Sequence, residues 1–95
     1  SKIDVNNIIK EVGAYYDVSV ADILSKKRKK NIAYARQVAM FLTRELTGSS
    51  FPKIGEAFSG RDHTTIMHGC EKIEKELKES AELKKAINDL KQALS

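Results

Sequence analysis

Arg61, Asp62, His63, Thr64 and Thr65 form an unbroken run after Gly60, and each is a residue type that can address the edge of a base pair. An arginine fork pairs with guanine O6 and N7, an aspartate accepts from the cytosine amino group, and a threonine methyl packs on that of thymine. The same run offers an acid, an imidazole and two hydroxyls, so nucleophilic or acid-base catalysis is the rival chemistry. Neighbouring residues on a helix point about 100° apart, which predicts that Asp62 does not orient His63 as a triad acid would, and no oxyanion-hole motif accompanies them. His63 and His68 are five residues apart, about 140° around a helix, unlike the one-faced pair of a zinc helix. No GxxxxGK[ST] loop for ATP phosphates occurs. The chain therefore reads as a non-enzyme with no metal and no cofactor of its own. A plainer reading of the run makes Asp62 or Thr64 a helix N-cap, Thr65 a solvated residue and His63 an ordinary surface histidine.

Such a run needs a helix end to present it, and the apolar pattern supplies one. From about Asp62, the residues Ile66, Cys70, Ile73 and Leu77 recur at helical spacing, while Glu71, Lys72, Glu74 and Lys75 face solvent. Upstream, Ser50 and Pro52 mark the start of a short helix over 51–58, because proline is tolerated only in a first turn. Ser59-Gly60 is the break between the two. Residues 50–77 therefore read as a helix-turn-helix, whose second helix offers unpaired N–H groups and a positive dipole end to a phosphate.

The remaining pattern is helical throughout. Asp4 caps a first helix carrying Val5, Ile8, Ile9 and Val12 to about Tyr16. Ser19 and Asp22 resemble a capping box one methylene short, opening a brief turn over Val20, Ile23 and Leu24. Asn31 caps a central helix whose stripe is Ile32, Ala35, Ala39, Leu42 and Leu46, with Gln37 and Arg44 on the opposite side, free to meet a partner. Ser80 caps a last helix in which Leu83, Ile87, Leu90 and Leu94 either close the core or make a helix-helix contact. No segment alternates apolar and polar residues as a half-buried strand would.

Length and charge bound the function. A chain of 95 residues with 41% hydrophobic content supports one core burying roughly 60–65% of the unfolded surface, hence a single domain over 1–95. No apolar stretch approaches the roughly 20 residues of a membrane span, the start Ser1-Lys2-Ile3-Asp4 lacks a signal-peptide run, and the lone Cys70 suits a reducing cytosol. The net charge is +4, but no acid lies between Asp22 and Glu45. Lys26, Lys27, Arg28, Lys29, Lys30, Arg36 and Arg44 stand there unopposed, while the other ten basic residues face all 13 acids. One strongly positive side is the footprint of a polyanion binder. A non-specific nucleic-acid module, or one that docks on an anionic lipid or acidic protein surface, would need only the 25–30 run. The absence of a strongly amphipathic helix beside those charges argues against lipid, and the lack of an exposed aromatic platform argues against RNA.

The stretch Gly60-Arg61-Asp62-His63-Thr64-Thr65-Ile66-Met67-His68 resembles the signature of the C-terminal DNA-binding domain of bacterial DnaA replication initiators. The likeness extends through Ser50-Phe51-Pro52-Lys53-Ile54-Gly55, Ala35-Arg36-Gln37, Glu45-Leu46-Thr47 and Ser25 to Lys30, covering about Ile3 to Leu94. It implies an all-α fold, a compact multi-helix domain with a TrpR-like helix-turn-helix. It also implies sequence-specific binding of double-stranded DNA at origin repeats, the DnaA boxes, for replication initiation. By that resemblance Asp62, His63 and Thr64 read bases in the major groove with Arg61 and Thr65 alongside. Arg28 enters the adjacent minor groove, where an A·T-rich tract attracts arginine. Lys27, Arg36, Gln37, Arg44, Ser50, Phe51, Pro52 and Lys53 meet the phosphate backbone. It further implies a cytoplasmic, nucleoid-associated location, the other domains of the full-length initiator as partners, and a monomeric isolated domain. Ser59 stands where the family commonly has glycine, Tyr34 and Ala35 where basic or proline residues are usual, and Gly69 at a usual alanine site. Glycine there costs roughly 1 kcal/mol in a helix interior.

Overall fold

The computed structural model describes residues 3–95; Ser1 and Lys2, included in the single-domain reading, lie outside the described residues. The order is α1 (Val5–Tyr16), α2 (Val20–Ile23), α3 (Lys30–Thr47), α4 (Phe51–Ala57), α5 (His63–Leu77) and α6 (Ala81–Leu94), with no strand among the described residues.

Most helix starts are written locally. The side chains of Asp4, Ser19, Ser50, Asp62 and Ser80 accept from the backbone N–H groups of Asn7, Asp22, Lys53, Thr64 and Leu83 respectively, each satisfying an amide the helix cannot pair itself. The expectation for α3 was wrong in its cap. Lys29 is the N-cap and makes no side-chain capping bond, so Asn31 already lies inside the first turn. The start of this helix is fixed by tertiary bonds to the loop before it, which no capping residue records. Asp22 likewise departs from a capping-box acid: its carboxylate meets Lys27 Nζ at 2.8 Å.

Helix α3 is the spine. Ala35, Val38, Ala39 and Leu42 are fully buried, and the helix packs against α1, α2, α4 and α5. Its wide apolar face is what a helix covered on several sides requires. The stripe of α6 resolves to core packing, since Leu83, Ile87, Leu90 and Leu94 are at most 5% exposed against α1 and α5. Tyr34 on α3 donates to Glu76 Oε2 on α5 at 2.7 Å and meets Tyr16 of α1 edge-on at 5.7 Å, tying three helices together.

Gly69 is not the weak point its helix propensity suggests. A Cβ there would stand 3.2 Å from Met40 Sδ and 3.5 Å from Gln37 Cγ, so the missing side chain lets α5 lie close on α3.

Cys70 faces inward at 8% exposure, and burial pushes its thiol up to about 11, with the Glu74 and Glu71 charges adding to the shift and Arg44 opposing it. Because the thiolate is the reactive form, alkylation by iodoacetamide at pH 8 is expected to run at least about tenfold slower in the folded chain than in urea. Equal rates would contradict the burial.

Candidate nucleic-acid interface

The basic segment between α2 and α3 carries no regular structure, yet its backbone is held on several sides. Arg36, in the second turn of α3, donates through Nε to the Ile23 carbonyl at 2.7 Å, through Nη1 to that of Lys27 at 3.0 Å and through Nη2 to that of Asp22 at 3.0 Å. Arg61 Nη2 donates to the Ser25 carbonyl at 3.0 Å, and Ser59 Oγ to that of Leu24. Ser25 Oγ closes a local turn by donating to Asp22 O at 2.7 Å and accepting from Lys27 N at 3.1 Å.

Arg36 thereby departs from its expected place on the phosphate-facing surface. It is 4% exposed, and its fork is spent on three carbonyls that define the loop. The cause is geometric, since a planar guanidinium can satisfy several acceptors at once where a lysine cannot. Burial lowers its pKa and the nearby Arg61 charge lowers it further, against Asp22.

The turn after α4 fixes how α5 is presented. Ser59 and Gly60 both adopt the left-handed conformation, with φ of 66° and 73°, and Arg61 N then donates to Gly55 O at 2.9 Å. The returning backbone passes directly over Gly55, where a Cβ would come within the 3.0 Å of the Arg61 carbonyl oxygen that real structures do not show.

One cavity of about 580 Å³ results between loop, turn and helices, lined by Lys26, Arg28, Ala33, Arg36, Gln37, Met40, Arg61 and Thr65. Four of these side chains are cationic and none is acidic. Of the residues singled out from sequence, the fold gathers Arg28, Arg36, Gln37, Arg61 and Thr65 here. Gln37 Oε1 is buried in the protein without a hydrogen-bond partner, the kind of group that a bound partner commonly completes. Lys26 and Met40 line the same wall and were not singled out. Lys26 was legible as part of the basic run, but Met40 belonged to the apolar stripe and carried no such signal.

Asp62, His63 and Thr64 sit beside this cavity at the start of α5. Asp62 is the N-cap: Oδ1 accepts from Thr64 N at 3.2 Å and from Thr64 Oγ1 at 3.3 Å. The Thr64 N–H donating to it holds the Asp62 carboxyl below the usual carboxylate range, and the His63 charge acts in the same direction. The helical spacing used to argue that Asp62 does not orient His63 as a triad acid would does not apply at this position, and His63 Nδ1 lies 3.1 Å from Asp62 Oδ1. Asp62 precedes the helix, so the 100° spacing of helical neighbours does not govern it. Both side chains are more than 60% exposed, which leaves their outer edges open to a ligand.

A second group gathers where α3 hands over to α4. Arg44 donates to the Ser49 carbonyl at 2.8 Å and stacks over the Phe51 ring, 4.2 Å from its centroid, a cation-π contact that holds the guanidinium at the start of α4, the helix that carries Pro52 and Lys53. The Lys27 ammonium, between Lys26 and Arg28 in sequence, is paired with Asp22 at 2.8 Å.

The chain matches the family model described as bacterial DnaA protein helix-turn-helix over residues 5–73. The matched stretch runs from α1 into α5 and includes every residue of the cavity wall.

Proposed function

The chain belongs to the bacterial DnaA helix-turn-helix family, whose domains bind DNA in replication initiation, and on that premise we propose that it recognises DnaA boxes in duplex DNA by reading two grooves at once. The start of α5 enters the major groove, where Asp62, His63 and Thr64 address base edges with Arg61 and Thr65 beside them. Arg28 reaches into the adjacent minor groove. Gln37, Arg44, Ser50, Phe51, Pro52 and Lys53 meet phosphates, with Lys26 added from the cavity wall. Arg36 acts through the loop it holds. The domain docks as a monomer and uses no cofactor. The observation that carries this reading is the acid-free cavity in which loop, turn and recognition helix converge, since a phosphate strand running between two read grooves needs such a wall.

The roles divide physically. Phosphate contacts position the protein and carry no sequence information, whereas base-edge contacts specify. The test is an equilibrium titration of labelled duplexes, one with a DnaA box and one with the same bases scrambled, over a series of salt concentrations. About five phosphate contacts give a log-log salt slope near −4.5 on either duplex. Preference for the box is expected to reach tenfold or more, and His63→Ala or Thr64→Ala to cost roughly 1–3 kcal/mol on the box alone. Lys53→Ala or Arg44→Ala instead weakens both duplexes alike. Equal binding of both duplexes by the parent chain would reduce it to a non-specific basic module.

A further inference from the structure

Ser59 and Asp17 are the non-glycine residues with positive φ among those described. At Ser59 that conformation disfavours any residue with a Cβ and costs glycine nothing. A serine held there needs a compensating bond, and it has one. Its hydroxyl donates to the Leu24 carbonyl at 2.5 Å, across 35 residues of sequence. The next carbonyl, Ser25, is taken by Arg61 of the same turn.

We infer that Ser59 is a positioning residue for base selection, a tether that locks the register between the recognition helix and the loop carrying Arg28. The inference rests on the two-groove reading above. Arg36 pins the loop to α3, but a loop held to one element can still pivot about it. Ser59 and Arg61 hold it from a second element, the turn that leads directly into α5. Arg28 lies four residues beyond Leu24, a stretch that can span at most about 14 Å. Fixing Leu24 to the turn therefore limits where Arg28 can reach relative to Asp62, His63 and Thr64. The consequence is selectivity for an A·T-rich tract at one set distance from the major-groove contacts, and not affinity in general.

Ser59→Gly separates this role from a structural one, because glycine removes the tether while relieving the backbone. The measurement compares three duplexes: a DnaA box with an A·T-rich flanking tract, the same box with that tract changed to G·C, and the A·T tract beside a scrambled box core. The parent chain is expected to prefer the A·T tract over G·C. Ser59→Gly should lower that preference about threefold, the scale of one net hydrogen bond, with the preference for the intact core kept and the melting temperature unchanged or raised. In an Arg28→Ala background Ser59→Gly should change nothing further. The tether is overturned by an equal loss on all three duplexes, by an undiminished A·T preference, or by an effect that persists without Arg28. A parent chain indifferent to the tract would overturn the minor-groove reading of Arg28, and the tether's role with it.

Discussion

Arg36→Met is expected to lower the unfolding free energy by about 2–4 kcal/mol and to abolish box recognition, although the residue is buried and its fork faces the loop. Methionine fills the stem's space but leaves the carbonyls of Asp22, Ile23 and Lys27 without their donor. Hydrogen bonds to a charged group are the stronger kind, about 1.5–3 kcal/mol each, and only part of that is recovered when the loop opens to water. Urea unfolding with the denaturant slope compared between variants measures the stability. Amide hydrogen exchange over 23–28 measures the release of the loop, which is expected to lose protection before α3 does. Arg36→Lys should rescue little, since a single ammonium cannot address three acceptors in a fork. If Arg36→Met kept parental exchange across 23–28 while losing DNA binding, the residue would be a direct phosphate contact and the role assigned to it here would be wrong.

Gly55→Ala carries the other large effect, an expected loss of about 3 kcal/mol, at the upper end of what overpacking costs. The added Cβ would collide with the Arg61 carbonyl oxygen, a backbone atom that cannot swing aside as the tip of a side chain would. Either the Arg61 N–H leaves Gly55 O, to which it donates at 2.9 Å, or the turn moves as a whole. In both cases the start of α5 is displaced relative to the cavity, so DNA affinity falls beyond what reduced stability explains. Gly60→Ala is the informative control. Its φ of 73° strains an L-residue, but nothing lies within 4 Å of the added Cβ, so about 1–2 kcal/mol is expected. Thermal melts of the two variants decide the matter: a Gly55→Ala cost no greater than that of Gly60→Ala would mean that the turn relaxes around the methyl.

The match to the family model ends at residue 73, short of α6, yet α6 contributes Leu83, Ile87, Leu90 and Leu94 to the same core. The cavity wall is built from the loop after α2, from α3, and from the turn into α5 and the helix itself, while α6 supplies burial against α1 and α5.

The sequence by itself determined the helices and their order, since each apolar stripe repeats at helical spacing and most starts carry a capping side chain whose partner lies within three residues. It also placed the run Arg61, Asp62, His63, Thr64 and Thr65 at a helix start, because that run follows a glycine break and precedes an apolar stripe, and it located the acid-free basic segment that charge counting reveals. Only the tertiary structure decided what holds that segment. Arg36, Ser59 and Arg61 look alike in sequence to any exposed polar residues, and their partners lie 9 to 36 residues away. The start of α3 and the close approach of Gly69 to Met40 and Gln37 were hidden for the same reason. Helical periodicity and caps are interactions within a turn or two of chain, legible from spacing alone, whereas a carbonyl clamp and a backbone crossing exist only once distant segments have been packed together.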